Sequence, residues 1–249
     1  MGNAPAVGMQ QGTGSTHRTT PGEVLRTAVT ICRRRAGTLA LVGIVLFAPL
    51  ALFDAFASQA AHRGWESGGG LRTLAVGAYL GISLFMLGSA LCAGLLDILV
   101  GREFGHEDVG LKRAIRSLPY GRLIAVDIIQ SLAIGTASIL GLIPGLLAFT
   151  LTCLAGSLVM IEQRSCGSAL RRSIQMTWRR FGLTFVVVTL PVLVEHQVLH
   201  ALEAWLGLPF VPLWIIHAVA ATLVLVPVVV VEITLAHDLR RDEGITVHE

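Results

Sequence analysis

The sequence predicts an all-α, multi-spanning membrane protein with six transmembrane helices in three hairpins, each hairpin preceded by an amphipathic helix in the interface. Three observations predict it. Hydrophobic residues make up 53% of the 249-residue chain and charged residues 14%, for a mean hydropathy of +0.71; a soluble domain would carry about a quarter charged residues. The apolar residues come in long runs, and several runs reach the roughly 20 residues needed to cross a hydrocarbon core about 30 Å thick. The 18 Arg and the single Lys, Lys112, gather outside those runs.

Residues 1–19 are rich in Gly, Thr, Ser and Gln and contain no apolar stretch, so they are expected to be a disordered cytoplasmic tail and not a signal peptide. Ala6 stands where an N-myristoylation pattern needs Ser or Thr. The expected spans cover residues 37–57, 73–100, 122–142, 144–162, 181–201 and 212–236, inside a membrane domain of residues 20–241, with a cytoplasmic tail at 242–249. The third and fourth spans are the hardest to separate. From Leu123 to Ile161 runs one stretch of 39 residues with a single charge, Asp127. That is too long for one span and enough for two. Gly141-Leu142-Ile143-Pro144-Gly145 supplies the residues of a tight turn, a re-entrant pair being the alternative.

Orientation follows from the basic residues. The segments on one side of these spans carry 17 Lys and Arg against 2 on the other, which puts both termini on the cytoplasmic side of the cell membrane. Arg clusters beside spans read as orientation signals and as contacts to anionic lipid headgroups. Nucleic acid is therefore not an expected partner. Of the four cysteines, Cys92 and Cys153 fall in spans, and Cys32 and Cys166 in cytoplasmic segments. With no CxxC pair and no disulfide framework, all four are expected to serve as small buried residues.

The segments before the three span pairs resemble one another. Leu25, Ala28, Val29 and Cys32 form an apolar stripe at i, i+3, i+4, i+7; Leu111, Ala114, Ile115 and Leu118 repeat it. Leu170, Ser173, Ile174 and Thr177 form a more polar third copy, widened by Trp178 and Phe181. A basic residue follows each leading Leu: Arg26, Lys112, Arg171. Helical periodicity with a basic opposite face suits a helix lying at the cytoplasmic interface. Thr20-Pro21-Gly22-Glu23 is a capping box for the first, while Asp108 is the candidate cap and Pro119 the stop for the second. Such helices either fix how each hairpin enters the bilayer or form a collar that binds anionic lipid or a membrane protein partner. The contact residues would be Arg33, Arg34, Arg35, Lys112, Arg113, Arg116, Arg171, Arg172, Arg179 and Arg180. The repeats are parallel, unlike the inverted repeats that mark many secondary transporters.

The stretch Ile143-Pro144-Gly145, the span ending Val159-Met160-Ile161-Glu162, and then Ala169-Leu170-Arg171-Arg172-Ser173 and Thr177-Trp178-Arg179-Arg180-Phe181-Gly182 carry a family resemblance. They resemble the membrane domain of glycerophosphoryl diester phosphodiesterases and related six-helix bacterial membrane families. The resemblance implies a six-helix membrane domain; in those enzymes catalysis belongs to a separate soluble barrel, for which this chain has no room outside its spans. Ala61-His62-Arg63-Gly64 copies the opening of the catalytic motif, but no Pro-Glu-Asn follows and no carboxylates accompany it to hold a divalent metal. The chain is expected to be non-catalytic and without a cofactor.

Ionisable groups in a membrane are costly enough to need a reason. Asp97, Asp127, Glu162 and Glu232 fall near the cytoplasmic ends of spans two, three, four and six. They are expected to pair with Arg102, Arg122, Arg164, Arg172 or Arg179 and clamp the collar to the bundle; a ring of acids that takes up a cation or proton is the alternative. Toward the outer side, His196, His200 and Glu203 stand at i, i+4 and i+7 beside Glu195, with His217 near the end of span six. That spacing admits a metal such as Zn²⁺ but also arises wherever polar residues cluster at a helix end, so no metal is expected. Pro49, Pro191 and Pro227 are candidate kinks, and Gly77-x-x-x-Gly81 is a candidate packing face. The expected function is a scaffold or accessory subunit that organises lipid or a membrane complex. A transporter component for a hydrophobic or amphipathic substrate is the alternative.

Overall fold

The computed structural model describes residues 20–66, 88–104, 110–206 and 209–242, and every regular element among them is helical. Helix α1 (Pro21–Arg34) begins as its sequence predicts. The Glu23 N–H donates to Thr20 Oγ1 at 3.4 Å, the Glu23 carboxylate accepts the Thr20 N–H at 3.1 Å, and Pro21 fills the first turn, where no N–H is needed. Helix α2 (Ala36–Glu66) is longer than expected: residues 58–66, which lie beyond the expected span 37–57, are helical, so the Ala61-His62-Arg63-Gly64 copy lies on a helix. Of the second expected span, α3 (Ser89–Val100) and the 3₁₀ turn Gly101–Phe104 that follows it are described. Residues 73–87, with Gly77 and Gly81, lie outside the described residues, as does Asp108. Helix α4 (Leu111–Ser117) is preceded by Gly110, whose carbonyl accepts the first helical bonds in place of a side-chain cap.

Leu118 and Pro119 separate α4 from α5 (Tyr120–Leu140), and Gly141 alone separates α5 from α6 (Leu142–Thr152). The five-residue turn expected here shrinks to one residue for two reasons. Gly141 takes φ +141°, a backbone that side chains disfavour, and Pro144 fits the first turn of α6. The expected span 144–162 is not one helix. It breaks at Cys153 and Leu154 between α6 and α7 (Ala155–Ile161), where Thr150 and Thr152 donate back to the Leu146 and Ala148 carbonyls. Such back-bonding bends helices.

After α8 (Cys166–Arg179), the next span is also interrupted. A short α9 (Phe181–Thr184) passes through a π turn (Phe185–Thr189) into α10 (Leu190–Leu206). Pro191 explains the π turn: it brings no N–H to the helix, and its ring crowds the carbonyl one turn back. Pro49 and Pro227 instead lie inside α2 and α11 (Phe210–Asp242).

Among the described residues, five stretches are long and apolar enough to cross a membrane: Ala36–Phe53, Tyr120–Leu140, Leu142–Ile161, Phe181–Glu203 and Phe210–Arg241. Their outward faces carry Leu41, Val45, Ile128, Leu132, Val198 and Leu223, an exterior suited to lipid and not to water. The chain is a membrane-embedded protein. Its centre is α11, buried on every face over residues 228–237 and packed against α1, α2, α3, α7, α10 and the π turn. A helix apolar all round belongs in such a place.

Small residues set the close approaches. A Cβ on Gly156 of α7 would stand 2.8 Å from Ala90 Cα of α3, and one on Gly43 of α2 would meet Thr222 and Val226 of α11. Gly156→Val therefore pushes against backbone and is expected to cost about 1–3 kcal/mol, the range for overpacking. Gly121→Ala, where a Cβ meets nothing within 4 Å, is the control. Thermal unfolding in a mild detergent should show a lowered midpoint for the first and an unchanged one for the second.

Candidate functional site

The basic segments meet at one end of the bundle. Arg34 of α1 pairs with Glu103 of the 3₁₀ turn at 3.0 Å, and Phe104 of that turn stacks on His237 of α11 with ring centroids 4.1 Å apart. Arg240 of α11 donates to the Ile161 carbonyl at the end of α7. Helices α1, α4 and α8 lie around this end, and they use the repeated stripe in the same way. The small residue at its second position, Ala28, Ala114 or Ser173, is buried against the bundle. The branched residue after it points outward: Val29 is 55% exposed, Ile115 41% and Ile174 41%. Trp178, read above as part of the apolar face, is 68% exposed, and Leu25 is also outward. The stripe is thus split between two neighbours, because only a small side chain lets each helix lie close to the bundle. Arg26, Lys112 and Arg171 are exposed beside those branched residues, as are Arg33, Arg34, Arg113, Arg116 and Arg179; Arg35, Arg172 and Arg180 are partly covered.

The four acids behave differently from one another. Glu162, at the end of α7, pairs with Arg164 and with Arg172 at 3.7 Å, as expected. The carbonyls beside it were not foreseen as partners: Arg122 of α5 donates to the Gln163 carbonyl at 3.2 Å, and Arg240 to that of Ile161 at 3.4 Å. A helix C-terminus leaves carbonyls unpaired and carries partial negative charge, so cations collect there.

Among the described residues Asp127 does not pair with an arginine; it caps a helix instead, which corrects that expectation. It accepts hydrogen bonds from Ser89 Oγ at 3.2 Å, the Ala90 N–H at 2.8 Å and the Leu91 N–H at 3.4 Å. It thereby caps α3, whose first amides open inside the bundle after Gly88 at φ +94°. A carboxylate satisfies those donors and complements the positive helix end. Asp97 also lacks an arginine among the described residues, where its partner is His237, Nε2 to Oδ1 3.2 Å; the Arg102 side chain lies outside them. His237 had no role in the sequence reading, since nothing in its spacing on α11 marks it. Glu232 is buried in the same helix, and among the described residues no hydrogen bond or ion pair reaches its carboxyl group.

At the far end, Glu195 and His196 of α10 and His217 of α11 line a small cleft with Phe47, Leu50 and Ala51 of α2. Glu203 is not among its walls, and the His200 side chain lies outside the described residues. Among the described residues no three His, Cys, Asp or Glu side chains are placed to hold a metal ion. The i, i+4, i+7 spacing on α10 does not itself build the cleft; α11 supplies its buried histidine. All four cysteines are free: Cys92 and Cys153 are buried, Cys32 and Cys166 partly so. Burial pushes the Cys32 thiol above its ordinary value, so it stays protonated and unreactive at neutral pH. Comparison with known protein families, characterised proteins and solved structures finds no match.

Asp127→Ala leaves the α3 amides without an acceptor in apolar surroundings, at about 1–3 kcal/mol for each unpaired group. Asp127→Asn keeps one acceptor oxygen. Unfolding midpoints are expected to fall steeply for Ala and about half as far for Asn; equal, small shifts would show that the cap contributes little.

Proposed function

We propose that this protein is a non-catalytic, six-span scaffold or accessory subunit that gathers anionic lipid around its cytoplasmic face. In this reading the spans form three hairpins, both termini are cytoplasmic, and the fold is that of the membrane domain of the glycerophosphoryl diester phosphodiesterases. One observation carries it: three helices at the basic end each expose a branched apolar residue beside an exposed cation, Val29 with Arg26, Ile115 with Lys112, and Ile174 with Arg171. An apolar side chain next to a cation matches the acyl and phosphate layers of a lipid interface, and each basic residue near an anionic surface contributes about 1 kcal/mol. The inward residues Ala28, Ala114 and Ser173 support the same reading, since they hold the collar firmly on the bundle. A membrane protein partner would use the same surface, with Trp178 at its edge. The second reading, a transporter component for a hydrophobic or amphipathic substrate, is favoured by the interruptions at Cys153 and Leu154 and in the π turn, since broken helices surround many transport sites.

Native mass spectrometry of the protein extracted with its lipids tests the first reading. The parent is expected to retain anionic lipid. The Arg26→Gln, Lys112→Gln, Arg171→Gln triple variant should lose it by on the order of 10²-fold, about fivefold per charge, with its unfolding midpoint unchanged because all three side chains are exposed. Equal anionic lipid on both proteins would remove the reading, and one defined small molecule held by both would favour the second. The orientation is tested separately. Gln175→Cys, exposed on α8, should react with an impermeant maleimide only from the cytoplasmic side.

A further inference from the structure

Three consecutive residues at the end of α7 hold four guanidinium groups from four parts of the chain. Arg240 of α11 donates to the Ile161 carbonyl at 3.4 Å, and Arg122 of α5 to the Gln163 carbonyl at 3.2 Å. Between them Glu162 pairs with Arg164, which follows α7, and with Arg172 of α8 at 3.7 Å. The three Cα atoms that anchor the cluster span at most about 7.6 Å. Gln163 is the one non-glycine among the described residues with a left-handed backbone, φ +52°. Such conformations gather at ligand clamps.

The charge here does not balance. Four guanidiniums meet one carboxylate, and the helix end offsets only about half a charge more. Each guanidinium has five N–H donors. Among the described residues Arg122, Arg164 and Arg240 give one hydrogen bond each. Arg122 is exposed and Arg164 partly so, which leaves their donors within reach from outside. The depth is that of a phosphate layer: the stretches Tyr120–Leu140, Leu142–Ile161 and Phe210–Arg241 all begin or end at this cluster. From Arg122 along one face of α5 stand Ile129, Ala133 and Leu140, at i+7, i+11 and i+18, and all three are exposed.

We propose that this cluster is a built lipid site, which takes the phosphate of one anionic phospholipid whose acyl chain lies along that face of α5. Guanidinium forks match phosphate oxygens two by two, and basic pockets between spans are where lipid headgroups settle. Arg122 and Arg164 meet the phosphate, while Arg172 and Arg240, partly covered, add charge behind them. Glu162 and the two carbonyls hold the arginines in place beforehand, so little side-chain freedom is lost on binding. The excess of positive charge selects a headgroup of net negative charge over a zwitterionic one. The proposal rests on the reading of this end as the lipid interface, but its residues are not Arg26, Lys112 or Arg171.

Native mass spectrometry of the full chain tests it, with lipid removed in mild detergent and phosphatidylglycerol, phosphatidylcholine or inorganic phosphate then added in turn. One phosphatidylglycerol is expected to persist at collision energies that remove the rest. The Arg122→Gln, Arg164→Gln pair should weaken its binding by about 25-fold, fivefold per charge. The Arg122→Lys, Arg164→Lys pair keeps the charge and loses the fork, so its affinity should fall between those of the parent and the Gln pair. If the Gln pair does not fold, the Lys pair carries the comparison, read also as the rise in unfolding midpoint when phosphatidylglycerol is added. The Arg26→Gln, Lys112→Gln, Arg171→Gln protein should keep this lipid while losing the others. Loss in the Gln pair with retention in that triple variant upholds the site whatever becomes of the collar. Undiminished binding by the Gln pair, parity of the Lys pair with the parent, equal retention of phosphatidylcholine, or an equal midpoint rise with inorganic phosphate would overturn it and leave the collar standing.

Discussion

Backbone groups freed where a helix breaks inside an apolar bundle must find partners, and the architecture depends on how they do so. Water is not at hand in hydrocarbon, so each open N–H or C=O needs a protein group. Asp127 meets this need for the start of α3, reaching across from α5 to take two amides and a serine hydroxyl. Ser173 of α8 meets it near the break before α7 by donating to the Leu151 carbonyl at 2.8 Å, and arginines from α5 and α11 meet it where α7 ends. Each solution also ties two helices together, so the breaks become joints and not weak points.

The second organising element is α11. Because its basic half is buried on every face, nothing attached to it can escape to lipid. Glu232 and His237 are therefore held in the interior by packing. Around this mast α1, α4 and α8 each divide one stripe: a small residue turns inward, a branched residue turns outward, and the cation stands beside it.

Much of this was legible in the residues. The length of the apolar runs predicted five of the membrane-length stretches within a few positions, Thr20 to Glu23 predicted the start of α1, and Glu162 found its arginines. The errors share a cause. Span 144–162 read as continuous because hydropathy does not register hydroxyls that bond back to their own helix, and the loop after residue 57 was placed too early because charge near a helix end does not stop a helix. The histidine spacing on α10 was real, yet its wall-mates came from α2 and α11, which no local spacing reports.

By itself the sequence determined the solvent this protein lives in, the approximate places of five long apolar segments and the repeated stripe at one end, because these depend on composition and on a helical period that each segment carries alone. Only the tertiary structure decided which acids meet arginine, which one caps a helix and which is left in the interior, and which half of each stripe faces outward. Those outcomes depend on which side chains α3, α5, α7 and α11 bring within hydrogen-bonding distance, and that is a property of their packing and not of any segment.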